Sequence, residues 1–261
     1  MLRHRPMTRW IRYQEGGSVG FGRLEGDRIA VHEGELFGAA RPTGATLPLD
    51  RVVALTPTAA GKMIALWNNF HALAAKLGNA VPAEPLYFIK AASSFLATGQ
   101  TIRAPKSYAG KVIYEGELGI VIGRTARAVS EDEAPRHIFG YTCVNDVTAI
   151  DILHRDPSFA QWTRAKSFDT FGVFGPVVAT DIDPLRLSVR TVLNGQERQN
   201  YPLSDMVFPP ARIVSLISQD LTLEPGDVIA CGTSIGVGSM KPGSSVEVSI
   251  DGIGTLVNRF E

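Results

Sequence analysis

The run Tyr114-Glu115-Gly116-Glu117-Leu118-Gly119-Ile120-Val121-Ile122-Gly123 constrains this chain more than any other segment. Ile120, Val121 and Ile122 are strand formers, and the interspersed glycines permit close backbone approach. In a strand, residues two apart point to the same side. Glu115 and Glu117 then share a face, while Leu118, Ile120 and Ile122 take the other and suit a core. Two carboxylates held together beside an apolar run need a counter-charge or open water. A divalent cation is the sharp reading, and a pair of solvated surface glutamates is the bland one.

A second segment, Ile138-Phe139-Gly140-Tyr141-Thr142-Cys143-Val144-Asn145-Asp146-Val147-Thr148-Ala149, also reads as a strand, with an Asn-Asp pair inside it or at its end. Aspartate is unfavourable within strands, so Asp146 is either a turn residue that ends the strand or a residue kept there for its charge. Asp151 could cap a helix through Ile152, Leu153 and His154. Three convergent carboxylates would make an all-oxygen site, which suits a hard cation: Mg²⁺ or Mn²⁺ ahead of Ca²⁺. No His/Cys spacing suggests zinc, and the Asp-x-Asp-x-Asp-Gly spacing of an EF-hand is absent.

Composition narrows the function classes. The chain has 261 residues, 44% of them hydrophobic, enough for a sizeable core in one large domain, or in one with a small companion. Lys plus Arg and Asp plus Glu both number 26, so net charge gives no case for nucleic acid or an anionic membrane surface. Met1 to Met7 is basic but lacks a following apolar stretch and does not read as a secretory signal. No apolar run is long enough to span a bilayer as a helix. Cys143 and Cys231 cannot found a disulfide framework; buried, reduced thiols in a cytoplasmic protein are expected.

The chain divides unevenly, with a small β domain over residues 1–60 and a larger domain over 61–261. Arg9 to Tyr13, Val19 to Leu24 and Arg28 to Val31, separated by turns at Gly16-Gly17 and Gly26-Asp27, predict a β-meander. Ala72 to Leu77 predicts a short helix bounded by Gly78-Asn79. Ser130 to Glu133 reads as a capping box opening a helix. Val189 to Leu193 before Asn194-Gly195 is a hairpin signal. Pro209 to Leu221 suits a helix with Ile213, Leu216 and Ile217 on one face. The sum is an α+β, β-dominant fold.

Several of these segments, taken in order, resemble one known family. Glu115 to Gly123, then Gly140-Tyr141-Thr142-Cys143-Val144-Asn145-Asp146, Ala165-Lys166-Ser167-Phe168-Asp169, Gly226-Asp227-Val228-Ile229 and Gly232-Thr233-Ser234-Ile235-Gly236-Val237-Gly238 look like the signature of the fumarylacetoacetate hydrolase superfamily. The resemblance runs from about Lys62 to the C-terminus. It implies the family's mixed β-roll, a homodimer, Glu115, Glu117 and Asp146 as metal ligands, and Lys166 as the active-site lysine. The Gly-rich loop implies that Gly232 and Thr233 bind substrate; Ser234 stands where the family usually has proline. The loop is not a P-loop, because no Gly-Lys-Ser/Thr follows.

The chain departs from the family pattern near Asn68-Asn69-Phe70-His71. Many members carry Asn-Tyr-x-x-His-x-x-Glu there, a water-activating pair on a lid. With Asn69-Phe70 aligned to Asn-Tyr, Leu73 and Lys76 occupy the His and Glu places. His71 remains a candidate acid/base on its chemistry alone. The expected function is therefore enolate chemistry on a 2-oxo acid or 2-hydroxydienoate of aromatic catabolism: C–C hydrolysis, decarboxylation or keto–enol isomerisation. The substrate would be a small 2-oxo acid or dicarboxylate. A non-catalytic protein that binds metal and dicarboxylate is the alternative.

Overall fold

The computed structural model describes residues 7–261. The basic stretch read at the N-terminus lies, apart from Met7, outside the described residues. Thr8–Glu15, Ser18–Glu25, Arg28–Glu33 and Arg41–Pro48 form an antiparallel meander. Its first two turns fall where expected, with Gly16 and Gly26 at φ 55° and 63°, a conformation in which glycine carries no steric cost. The meander is not a separate sheet. Its first strand pairs with Gly172–Thr180 and so joins a twelve-stranded sheet.

From Gly172–Thr180 that sheet continues through Ile138–Asp146, Gly116–Ile122, Val228–Ala230 and Met63–Trp67 to its edge at Leu86–Lys90. The glutamate strand Gly116–Ile122 and the aspartate strand Ile138–Asp146 are adjacent and antiparallel, with Gly116 opposite Asn145. That register brings the start of one beside the end of the other, which is why Glu115, Glu117 and Asp146 meet. Every residue of Gly116–Ile122 is buried. Leu118, Ile120 and Ile122 enter the main core and Val121 a smaller cluster across the sheet, so both faces are covered.

A second, five-stranded sheet runs in the order Gln196–Pro202, Ser188–Leu193, Ser245–Ile250, Gly254–Phe260, Thr101–Ile102. The hairpin signal at Asn194-Gly195 is realised here, with both residues at positive φ. This sheet packs close to the glutamate strand. A Cβ on Gly116 would lie 2.1 Å from Thr191 Oγ1, so only glycine fits between Glu115 and Glu117.

The expected helices form at His71–Leu77 and Pro210–Asp220. The predicted helix at Ser130 does not. Ser130 N–H donates to Glu133 Oε2 at 3.1 Å, but Pro135 follows and the chain makes only a 3₁₀ turn, Ala134–Arg136. The strand read over Tyr114–Gly123 is interrupted at Glu115, which lies between Val112–Tyr114 and Gly116–Ile122. Cys143 and Cys231 are buried free thiols, and Cys231 sits just past the strand predicted to contain it. Among the described residues, no helix is long and apolar enough to cross a membrane.

Candidate active site

One carboxylate oxygen each from Glu115, Glu117 and Asp146 lies within 4.8 Å of the other two, and all three side chains are buried. Local folding fixes each one. Asn145 Oδ1 accepts the Glu115 N–H at 3.0 Å, and the Asp146 N–H donates to Glu115 O at 2.9 Å. Between the glutamates, the Gly116 N–H donates to Gln199 Oε1 at 3.0 Å. The Gly116 carbonyl accepts from Tyr201 Oη at 2.6 Å and Thr233 Oγ1 at 2.9 Å. The peptide that separates the two glutamates is thus held from three sides.

Two buried lysines face this cluster. Lys166 Nζ donates to Glu115 Oε2 at 2.8 Å, Asp146 Oδ2 at 2.6 Å and Thr148 Oγ1 at 2.7 Å, which uses all three of its protons. Lys90 Nζ bonds the other oxygen of Asp146. Lys90 had no sequence signal, because it closes an ordinary apolar run and a lone lysine reads as surface. Gln199 and Tyr201 were likewise missed. Their i, i+2 spacing puts them on one side of Gln196–Pro202, but nothing in the sequence marks that side as facing Gly116.

Burial pushes the Glu117 carboxyl well above its ordinary value, and the nearby Asp146 and Glu115 charges add to this. Glu115 is also raised by burial, against the pull of Lys166. Burial acts the same way on Asp146, but Lys166 and Lys90 together hold it below the usual carboxylate range. Burial works against the Lys166 ammonium, yet Asp146 and Glu115 keep its pKa above the usual lysine value. The two carboxylates thus favour the ammonium form of Lys166. Lys90 is lowered by burial, which Asp146 only partly offsets.

Glu117 Oε2 accepts the Gly232 N–H at 2.8 Å, whereas Glu117 Oε1 is buried with no partner. A buried carboxylate oxygen left bare is costly. Three carboxylates against two ammonium groups leave one uncompensated negative charge when all are ionised. An all-oxygen donor set, a bare oxygen and a residual negative charge together fit a hard divalent cation.

The other residues singled out from the sequence are placed as follows. Gly232, at φ 88°, directs its N–H to Glu117, and Thr233 spends its proton on Gly116 while accepting from Gln199 Nε2 at 2.8 Å. Both brace the glutamate strand in this arrangement. His71 opens its helix and is exposed, and no hydrogen bond ties its ring to the cluster. Leu73, at the family's lid-histidine place, is buried in the core, and Lys76 is exposed. Asp151 does not join the carboxylates; it accepts from the Lys111 N–H at 2.9 Å and Tyr108 Oη at 2.8 Å.

Residues 62–261 match the model of the fumarylacetoacetate (FAA) hydrolase C-terminal domain, and residues 8–57 match an Rv2993c-like N-terminal model. The chain belongs to the fumarylacetoacetate hydrolase family. Among its relatives, oxaloacetate tautomerase YisK of Bacillus subtilis is 33% identical, covering 90% of this chain and 84% of that protein. A 4-hydroxyphenylacetate degradation bifunctional isomerase/decarboxylase of Salmonella dublin is 36% identical over 90% of this chain and 55% of its own length. The crystal structure of a 2-hydroxyhepta-2,4-diene-1,7-dioate isomerase from Mycobacterium marinum superposes with a TM-score of 0.88 at 37% identity, covering 97% of this chain and 98% of that one. The β-dominant α+β architecture is thus that of the family, with tautomerase, isomerase and decarboxylase relatives.

Proposed function

We propose that this chain is a Mg²⁺- or Mn²⁺-supported enzyme that tautomerises or decarboxylates a small 2-oxo acid through its enolate. The observation that carries the reading is the bare Glu117 Oε1 inside a cluster of three carboxylates that already holds an ammonium. Glu115, Glu117 and Asp146 would hold a divalent cation, which would supply Lewis-acid stabilisation of the enolate.

The chain's own residues do the rest. Lys166, held as an ammonium by Asp146 and Glu115, offers an N–H donor and a positive charge to an enolate oxygen. All its protons are engaged, so substrate exchanges for one of Glu115, Asp146 or Thr148. Lys90 holds the far oxygen of Asp146 and keeps that carboxylate ionised. Gly232 and Thr233 fix the glutamates. The tautomerase and decarboxylase relatives support this chemistry, and Leu73 and Lys76 in the places of the family's lid pair favour it over hydrolysis.

The test is the ultraviolet decay of enol-oxaloacetate, followed with Mg²⁺, with chelator, and with Lys166→Met. Acceleration over the metal-only blank that is lost in both controls is expected. No acceleration on oxaloacetate or on an acylpyruvate panel, with metal binding intact, would contradict catalysis and favour a protein that only binds dicarboxylates.

A further inference from the structure

A cavity of about 810 Å³ lies at the far end of the strands that carry the carboxylates. Glu115 and Asp146 flank the start of Gly116–Ile122 and the end of Ile138–Asp146, whereas Gly123, Ile138 and Phe139 line the cavity. Glu117 and Gly123 are roughly 20 Å apart along the chain at about 3.3 Å per residue. The N-terminal meander supplies another wall through Trp10 on Thr8–Glu15, Arg23 on Ser18–Glu25 and Phe37 in the loop after Arg28–Glu33. Three arginines from separate elements converge here: Arg23, Arg124 just past Gly116–Ile122, and Arg136 at the end of the turn Ala134–Arg136. All three are exposed. Among the described residues none of them forms an ion pair or a side-chain hydrogen bond, and Arg23 lies over the Trp10 ring at 5.2 Å. Asp181 is the single carboxylate in the lining, and it accepts from Thr180 Oγ1 at 3.0 Å. Glu133 is within electrostatic reach of Arg136 and is bonded by Ser130 Oγ at 2.7 Å.

We propose that this cavity binds a nucleoside phosphate, with the phosphate met by Arg23, Arg124 and Arg136 and the base set against Trp10, Phe37 and Phe139. Charge argues for the phosphate. Three guanidinium groups against one carboxylate repel one another, and the excess is local, since basic and acidic residues balance at 26 each over the whole chain. A doubly charged anion answers that excess better than a single carboxylate does. The planar guanidinium fork matches phosphate oxygens two at a time, and all three forks are unspent. The rings argue for the base. Trp10 is buried and Phe37 and Phe139 are half-buried, so part of an aromatic surface faces the cavity. Phe37 meets Phe139 edge-on at 5.0 Å, and Trp10 lies 6.4 Å from Phe139. A flat heterocycle packs on such a surface by stacking or edge-to-face contact. The volume suits a ligand of nucleotide size. The separation from the carboxylates is too long for one small molecule to reach both places, so this site is distinct from the reacting one.

The experiment is calorimetric binding to the full chain with Mg²⁺ present. The probes are the 5′-monophosphates of adenosine, guanosine and uridine, with ribose 5-phosphate for the anion alone and adenosine for the ring alone. At least one nucleotide is expected to bind once per chain, about tenfold more tightly than ribose 5-phosphate or adenosine. Arg124→Ala and Arg136→Ala should each weaken it about tenfold, the value of a charge-assisted hydrogen bond, with melting temperature unchanged. Lys166→Met, at the carboxylate cluster, should leave nucleotide affinity as it was. No binding by any of the three nucleotides, or full affinity kept in both arginine variants, would overturn the proposal. Affinity lost in Lys166→Met would move the nucleotide to the carboxylate cluster and overturn it as well. Ribose 5-phosphate binding as tightly as the nucleotides would overturn the assignment of a base to the aromatic wall.

Discussion

The carboxylate cluster and the helix His71–Leu77 stand at opposite extremes of burial. Glu117, Asp146, Lys90 and Lys166 are each no more than 2% exposed, whereas His71 and Lys76 face solvent. In the cluster Asp146 and Glu115 are answered by lysines from a strand and a helix far apart in sequence, and Glu117 is left with the uncompensated charge. On the helix, a charge meets only water. The comparison teaches where function is tightly specified: removing one partner in the cluster strands a buried charge, while the same change on the helix costs little.

The largest effect is expected for Lys166→Met, which removes the ammonium from the reacting region. Turnover should fall about 10²–10³-fold, as for loss of one oxyanion donor. Steady-state kcat on enol-oxaloacetate checks this, and near-normal kcat would break the distinction between cluster and helix. Lys90→Met leaves Asp146 Oδ1 without its partner. Urea unfolding of the metal-free protein should show a loss of about 3–5 kcal/mol. Added Mn²⁺ should recover part of it, because the cation answers the same charge.

Gly116→Ala comes next. Its methyl group would fall against Thr191 Oγ1 and prise the second sheet from the peptide between the glutamates. A loss of about 1–3 kcal/mol is expected in urea unfolding. The pH response sharpens the comparison further. Glu117 is raised in the fold, so the stability from its protonated form is present below the ordinary glutamate pKa and lost as pH rises through the raised value. A cation needs the ionised form. The Mn²⁺-induced rise in melting temperature should therefore grow as pH rises above the ordinary glutamate range and through the raised value. A gain that shrinks with pH would contradict this assignment. Smallest of all, His71→Ala should move stability by less than about 0.5 kcal/mol and leave kcat near the unaltered value. A large fall in kcat with unchanged melting would bring His71 into the chemistry after all.

Legibility in the sequence followed the same divide. Period-two patterning and turn glycines exposed the meander, the Asn194-Gly195 hairpin and the glutamate strand, because these are local signals. The ordered motifs were enough to gather Glu115, Glu117, Asp146 and Lys166. Lys90, Thr148, Gln199 and Tyr201 were hidden, since each matters only through a partner that the tertiary fold brings to it. The Ser130 capping pair shows the reverse failure: the Ser130 N–H bonds Glu133 Oε2, but the serine hydroxyl donates to that same oxygen instead of accepting the Glu133 N–H, and the short segment before Pro135 makes only a 3₁₀ turn. The contact of Trp67, Phe88 and Trp162 was illegible for the first reason, the rings coming from the strands Met63–Trp67 and Leu86–Lys90 and the helix Trp162–Lys166.

The central claim, that Glu115, Glu117 and Asp146 form one cation site, is tested most directly by calorimetric titration of metal-free protein with Mn²⁺. One ion per chain is expected, with affinity in Glu117→Gln lowered by more than the roughly 10–100-fold typical of losing a residue behind the ligands. Unchanged Mn²⁺ affinity in Glu117→Gln, with the variant folded, would contradict the account.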